Sequence, residues 1–275
     1  MPELPEVETI VRDVRPALLG CTLLEARLSH DDVLRGVTRR GLLAGLRQRR
    51  VEEVSRRAKH AVIRLDSGKR LIVQPGMTGS LVVHRRPLAP AQAQYAVLRA
   101  WLDNGRELVY EDVRRLGTLL LLDPAGWAVY DGAIGPEPLA DDFTPDQLAD
   151  VLRGSRQYVK KTLMDQRRLA GVGNIYAQEA LFAARVDPSR PSNRLTEAET
   201  TLLHHELRRI LNAAIASNGS TIRDYRTGTG DSGSFQLELL VYGREGEPCR
   251  RCGTTLTGTH TLDGRITVFC HRCQT

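Results

Sequence analysis

Four cysteines stand close to the C-terminus as two pairs, Cys249-x2-Cys252 and Cys270-x2-Cys273, with 17 residues between them. Each C-x2-C turn faces two sulfurs toward one tetrahedral ion, and the intervening segment is long enough for a hairpin. A redox pair or unrelated thiols would also contain cysteine, but two correctly spaced pairs favour one zinc ion. A filled four-thiolate set leaves no open position for water, so the metal is expected to be structural. At the other end, Met1 precedes a small residue and is expected to be removed, exposing Pro2 as a secondary amine. An α-amino group has a pKa of about 8, so part of it is neutral and nucleophilic near neutral pH. Addition of such an amine to a sugar aldehyde carbon gives an iminium, an electron sink for later eliminations. Glu3 and Glu6 would supply carboxylates for proton transfer beside it. Taken alone, the segment reads more simply as a proline and first-turn acids suited to a helix dipole.

Two further places have suitable residue types. Gly171-Val172-Gly173-Asn174 opens a helix, where glycines and free N–H groups suit an anion. Asn174 either donates to a phosphate or caps the helix, with capping the commoner role, and Lys160 and Lys161 lie nearby in sequence. The basic stretches Arg56-Arg57-Ala58-Lys59 and Arg114-Arg115 flank predicted strands at turns, where their side chains can share a groove or simply be solvated. Cys21, alone, reads as a buried apolar residue.

The elements that must position these groups follow from periodicity. Leu4, Val7, Ile10, Val11, Val14 and Leu18 recur at helical spacing and predict a helix over 3–18, stopped by Gly20. Pro2 and Pro5 fit only at or before its first turn. Short apolar runs divided by Asp66-Ser67-Gly68 and Asp103-Asn104-Gly105 predict antiparallel strands between 22 and 130. After a Gly/Pro-rich link the pattern turns helical. Thr144-Pro145 starts a helix toward Gly154, a short helix spans 160–166, Asn174 opens another, and the box Thr196–Glu199 begins the longest, ending near Gly219. A Gly-rich loop then runs to Phe235. The fold class is therefore α+β: an N-terminal helix on an antiparallel β-sandwich, then helices and a cysteine-bearing hairpin. The expected domains are 1–131, a linker 132–142, a helical domain 143–234 that includes the loop, and 235–275.

The 275 residues carry 39 Lys and Arg against 33 acids, a net charge of +6 that suits a polyanionic partner without proving one. Aromatics are 5% of the chain, too few for a surface built on many stacked bases. No apolar run approaches the ~20 residues of a membrane span. The acidic N-terminus lacks the features of a secretory signal, so a cytoplasmic, non-membrane protein is expected.

In order along the chain stand Pro2-Glu3-Leu4-Pro5-Glu6-Val7-Glu8-Thr9, Arg56-Arg57-Ala58-Lys59, Gly76-Met77-x-Gly79-Ser80-Leu81, Gly171-Val172-Gly173-Asn174-Ile175-Tyr176-Ala177 and the four cysteines. Together they closely resemble the bacterial formamidopyrimidine-DNA glycosylases over nearly the whole chain. The resemblance implies a monomeric glycosylase and AP lyase acting on double-stranded DNA with oxidised purines or abasic sites. The helical region would be a helix–two-turn–helix unit and the tail a zinc finger. It implies that Pro2 is the nucleophile, Glu3 the acid/base that opens the sugar, Glu6 a supporting carboxylate and Lys59 a phosphate contact assisting elimination. Met77, Arg114 and Leu116 would fill the space left by an extruded base, Arg114 pairing with the orphan cytosine. Tyr95 would contact DNA, Lys160 and Asn174 would clamp phosphates, and Arg265 on the finger would grip the lesion's phosphates. The loop 217–233 would close over the extruded base. Leu4 points to the purine-lesion branch, because the endonuclease VIII branch usually has glycine there. Three departures stand out. The usual Asp-Pro-Arg-Arg-Phe reads Asp112-Val113-Arg114-Arg115-Leu116, a family histidine is replaced by Gln74-Pro75, and another aligns with Tyr95. The alternatives are an endonuclease VIII-like enzyme for oxidised pyrimidines and a non-catalytic zinc-ribbon DNA-binding protein.

Overall fold

The computed structural model describes residues 2–221, 227–229 and 233–275. The chain divides into two units, Met1–Gly132 with Ser217–Ser234, and Ala133–Ala216 with Phe235–Thr275.

In the first unit the predicted helix forms as α1 (Leu4–Leu18), with Pro5 in its first turn. Glu3 is its N-cap, in a capping box with Glu6. The chain then leaves through Gly20, whose φ of +80° favours glycine. Strands β1 (Thr22–Leu28), β2 (Arg49–Arg57), β3 (His60–Leu65), β4 (Arg70–Gln74), β5 (Gly79–His84), β6 (Ala96–Leu102), β7 (Glu107–Asp112) and β8 (Thr118–Leu122) form one antiparallel sheet. Its order is β5-β7-β6-β1-β2-β3-β4-β8. The chain therefore passes twice between the two ends of that order, from β4 to β5 and from β7 to β8. Helix α1 packs on β2, β3 and β5, and its buried stripe of Val7, Ile10, Val11, Val14 and Leu18 belongs to the sheet's apolar core. Each such side chain removed from water contributes roughly 1.5–3 kcal/mol, so this core is the rigid base from which the loops project. Two helices go beyond the strand reading of 22–130: α2 (Arg39–Leu46) and α3 (Pro124–Gly132).

The second unit contains α4 (Pro145–Arg153), α5 (Val159–Met164), α6 (Asn174–Ala183), α7 (Glu197–Ala216) and the hairpin β9 (Thr257–Thr259)–β10 (Thr267–Phe269). Thr144 and Thr196 start α4 and α7 through reciprocal bonds with Gln147 and Glu199. Residues 175–182 of α6 are all buried, as befits a helix surrounded by protein.

Two expected boundaries move. Residues 217–234, expected with the helices, belong to the first unit. Gly228 lies against α1: a Cβ there would come within 2.7 Å of Asp13 and 3.0 Å of the Ile10 carbonyl. The expected linker 132–142 is largely part of the second unit. Gly135 donates to the Gln166 carbonyl, and Arg208 donates to the carbonyls of Pro138 and Ala140.

Candidate active site and nucleic-acid interface

At the N-terminus of the first unit, Pro2 and Glu3 are buried where α1 begins. Glu6 holds them. Its Oε2 accepts the Glu3 N–H at 2.8 Å and its Oε1 accepts the Ser220 N–H at 2.7 Å. Both oxygens thus take backbone donors, so the carboxylate anchors the chain start to the loop 217–221. Gly219 makes the approach possible, since its φ is +78° and a Cβ there would meet Glu6 Oε1 at 2.9 Å. Lys59 is buried in the two-residue turn between β2 and β3, beside Ala58 at φ +51°. Arg56 ties that turn to α1: its Nη1 donates to the Ala58 carbonyl at 2.9 Å and its Nε to Glu8 at 3.0 Å. Burial works against ionisation of Glu8, but hydrogen bonds and charges from Arg12 and Arg56 outweigh it and hold its pKa below the ordinary value. Arg57 turns instead to Asp131. Arg56 and Arg57, which could have shared a groove with Lys59 or stood in solvent, are therefore braces.

A second cluster occupies the passages between the sheet's ends. Val113, Arg114, Arg115 and Leu116 are exposed in succession, and Met77 is exposed on the neighbouring passage. Tyr95 is also exposed, and its carbonyl accepts the Asp112 N–H at 3.1 Å, which brings it to the same corner. These exposed apolar side chains make the corner a candidate interaction surface. Arg115, at φ +50°, pairs with Asp32. No hydrogen bond or ion pair engages the Arg114 guanidinium among the described residues. The glycines of this corner are required by contact. A Cβ at Gly76 would lie 2.4 Å from the Gly117 nitrogen, and one at Gly117 would lie 2.0 Å from the Tyr110 hydroxyl. Glu107, fully buried, accepts the Leu88 N–H at 2.7 Å and bonds Arg99, bracing the long connection that ends at Tyr95.

In the second unit the thiolate-forming atoms of Cys249, Cys252, Cys270 and Cys273 all lie within 4.8 Å of one another. Sulfurs around a tetrahedral zinc at ≈ 2.3 Å are about 3.8 Å apart, so the four residues fit a single metal ion. The hairpin they support carries Arg265, which is exposed. Lys160, expected to clamp a phosphate, is enclosed within this unit. Its side chain is 0% exposed, and Nζ donates to Thr267 Oγ1 at 2.7 Å and to Asp263 at 3.2 Å. This enclosed ammonium braces the hairpin. Asp263 Oδ1 also accepts the Arg265 N–H at 3.1 Å. Asn174 is not a cap, because Gly173 is the N-cap of α6 and makes no side-chain bond. Its Nδ2 donates to the Ile266 carbonyl at 3.3 Å.

Sequence reasoning missed the residues that hold this finger. Gln178 donates to the Ile266 carbonyl and to Asn174, while its Oε1 accepts the Val268 N–H at 2.7 Å. Next to it, buried Glu179 accepts the N–H groups of Leu240, Val241 and Tyr242 at 2.8–2.9 Å. A buried Gln-Glu pair within an apolar helix was the available signal, since such groups require partners.

Residues 1–119 match the model of the formamidopyrimidine-DNA glycosylase N-terminal domain, and residues 134–226 match that of the formamidopyrimidine-DNA glycosylase H2TH domain. The chain is 43% identical to a formamidopyrimidine-DNA glycosylase of Chloroflexus aggregans over 277 residues, covering 100% of this chain and 98% of the relative. The crystal structure of the Thermus thermophilus MutM (Fpg) protein is similar at a TM-score of 0.86 and 39% identity, over 99% of this chain and 98% of that one. A Lactococcus lactis Fpg mutant in complex with a Fapy-dG containing DNA is similar at a TM-score of 0.89 and 32% identity, over the full length of both chains.

Proposed function

Because the chain belongs to the formamidopyrimidine-DNA glycosylase family, we infer that it is a base excision repair glycosylase and AP lyase acting on oxidised purines in double-stranded DNA. The observation that carries the assignment of roles is the double tether of the chain start. Glu6 ties the Glu3 backbone to Ser220, and Arg56 ties α1 to the turn that bears Lys59.

On this reading the Pro2 nitrogen attacks the deoxyribose C1′ and the bond to the damaged base breaks, its electrons leaving with the base. The nitrogen lone pair then opens the sugar as Glu3 protonates the ring oxygen, giving an iminium. Loss of a C2′ proton lets the 3′ phosphate leave by β-elimination. A second elimination expels the 5′ phosphate, and water releases the enzyme. Lys59 contacts a phosphate beside the lesion and assists elimination, while Glu6 positions the chain start. The glycosidic carbon is inaccessible inside a base stack, so the nucleotide must be extruded; glycosylases are a standard example of that behaviour. Met77, Arg114 and Leu116 fill the vacated space, with Arg114 on the orphan cytosine and Tyr95 beside the DNA. Leucine in place of the usual aromatic fills space but offers little stacking, so discrimination falls more heavily on Arg114. Asn174 and Arg265 contact phosphates. The four cysteines hold one zinc, which cross-links the finger and takes no part in the chemistry.

Borohydride trapping on a duplex with one 8-oxoguanine opposite cytosine, using protein that begins at Pro2, tests the reading. A covalent adduct mapping to Pro2 is expected, and Pro2→Gly is expected to bind the duplex while losing most of the adduct. An adduct at a different residue, or none on any oxidised purine, would overturn it.

A further inference from the structure

The two passages that carry the exposed corner are joined by a side chain that the motif Gly76-Met77-x-Gly79 leaves open. Residues 75–78 connect β4 to β5, and residues 113–117 connect β7 to β8. Gln74 pairs with Thr118 and Gly79 pairs with Asp112, so the passages run side by side in opposite directions. Their backbones touch at Gly76 and Gly117, an approach that brings contact but no bond. The bond comes from Thr78. Its hydroxyl donates to Asp112 Oδ1 at 2.5 Å and accepts the Arg114 N–H at 3.0 Å. Among the described residues no other hydrogen bond joins 75–78 to 113–117.

The carboxylate at the root of this link is itself fixed. Asp112 is 2% exposed, and its Oδ2 accepts the Tyr110 hydroxyl at 3.0 Å and the Gly117 N–H at 2.8 Å. Burial, and then the charge of Asp112, push the Tyr110 phenol above its ordinary pKa, so it stays a donor. A hydroxyl has one proton and two lone pairs. Once Thr78 gives its proton to Asp112, a lone pair is left to face Arg114. Asp112 therefore sets the Thr78 rotor, and Thr78 sets the backbone from which the Arg114 side chain departs.

We propose that Thr78 and Asp112 are positioning residues that couple the Met77 and Arg114 passages into one wedge, so that opposite-base choice depends on the Thr78 hydroxyl. The proposal rests on the reading of Arg114 as the group that meets the orphan base. It differs from that reading in assigning specificity to a bond that touches no DNA.

Thr78→Val keeps the shape and removes both bonds, and Thr78→Ser keeps the hydroxyl. In the DNA-free protein the Arg114 amide of Thr78→Val should exchange about tenfold faster than in the parent, with Thr78→Ser close to the parent. Unchanged exchange in Thr78→Val would overturn the coupling whatever the DNA does. On DNA, the ratio of 8-oxoguanine excision opposite cytosine to that opposite adenine should fall about fivefold or more in Thr78→Val and be restored in Thr78→Ser. Adduct formation at an abasic site opposite cytosine should fall much less. A merely structural loss would lower both activities alike and leave the ratio standing, which also overturns the proposal. Arg114→Ala separates the two ideas. Loss of discrimination there supports the role of Arg114, and Thr78→Val should then add little in that background. Full discrimination in Arg114→Ala rejects the Arg114 reading, while the exchange result still decides the coupling.

Discussion

The two units hold their exposed working residues by different means. In the first, loops emerge from strands embedded in a large apolar core. Buried carboxylates at their roots, Glu6, Asp112 and Glu107, take the backbone N–H groups of Ser220, Gly117 and Leu88. In the second, the finger has a small apolar cluster of Phe182, Val241, Leu256 and Val268 with Cys249 and Cys270. Side-chain links hold it, the Lys160–Asp263 pair and the Gln178 and Glu179 side chains, beside four cysteines placed to share one metal ion. A core that buries enough surface leaves its polar groups free to refine loop geometry. One too small for that must be stapled.

The largest expected effect tests the staples directly. Chelation, or Cys252→Ser, should release the metal and lower DNA affinity by about a hundredfold or more, since binding at such sites is folding free energy. Hydrogen exchange in β2, β3 and β7 should stay slow. If the first unit loosened in step, the contrast between a self-sufficient unit and a stapled one would fail. Glu179→Ala comes next. Three N–H groups lose their acceptor, and the buried one, Val241, costs about 1–3 kcal/mol, so zinc should leave at a lower chelator concentration in a colorimetric release assay. Gln178→Ala is expected to weaken DNA binding about five- to tenfold through misplacement of Arg265 and Asn174. Adduct yield at saturating DNA should be retained. A fall in yield with unchanged affinity would show that Gln178 acts elsewhere.

The smallest effect concerns Glu199, whose pKa the Arg190 hydrogen bond lowers from 4.5 to about 2 despite partial burial. A carboxylate with a depressed folded pKa stabilises above its unfolded value and loses that contribution as pH falls through the folded one. The contribution should thus be complete above about pH 4.5 and disappear toward about pH 2. Glu199→Gln should flatten the acid limb of the stability curve over that window. At neutral pH it should cost about 1 kcal/mol or less, because the pair is partly exposed.

What could be read in advance follows the range of the interactions. Helix α1, the Thr196–Glu199 box and the cysteine pairs are local patterns, and each stands where its spacing put it. Helix α2 contains Gly41 and Gly45, poor helix residues, and Gly45 is needed because a Cβ would lie 2.3 Å from Leu121. Helix α3 has no buried residue and so shows no apolar stripe. Lys160 looked like a surface cation beside Lys161 because its partners Asp263 and Thr267 lie more than a hundred residues downstream. Arg56 and Arg57 likewise found acids on α1 and α3 that proximity in sequence does not reveal. The residues proposed for chemistry lie in local motifs that can be named from the sequence, whereas their supports do not, because a support is defined by what it meets.

The return of residues 217–234 to the first unit has a consequence for synthesis of the chain. That unit lacks its closing segment when Gly132 leaves the ribosome, and it must wait for Ser234. At roughly 5–20 residues per second the delay is about 5–20 s. Through that interval the Glu6 carboxylate has no Ser220 N–H to bond, and the surface of α1 that Gly228 approaches is uncovered. A chain stopped before Ser220 therefore contains all eight strands of the sheet but lacks the backbone donor that Glu6 Oε1 accepts.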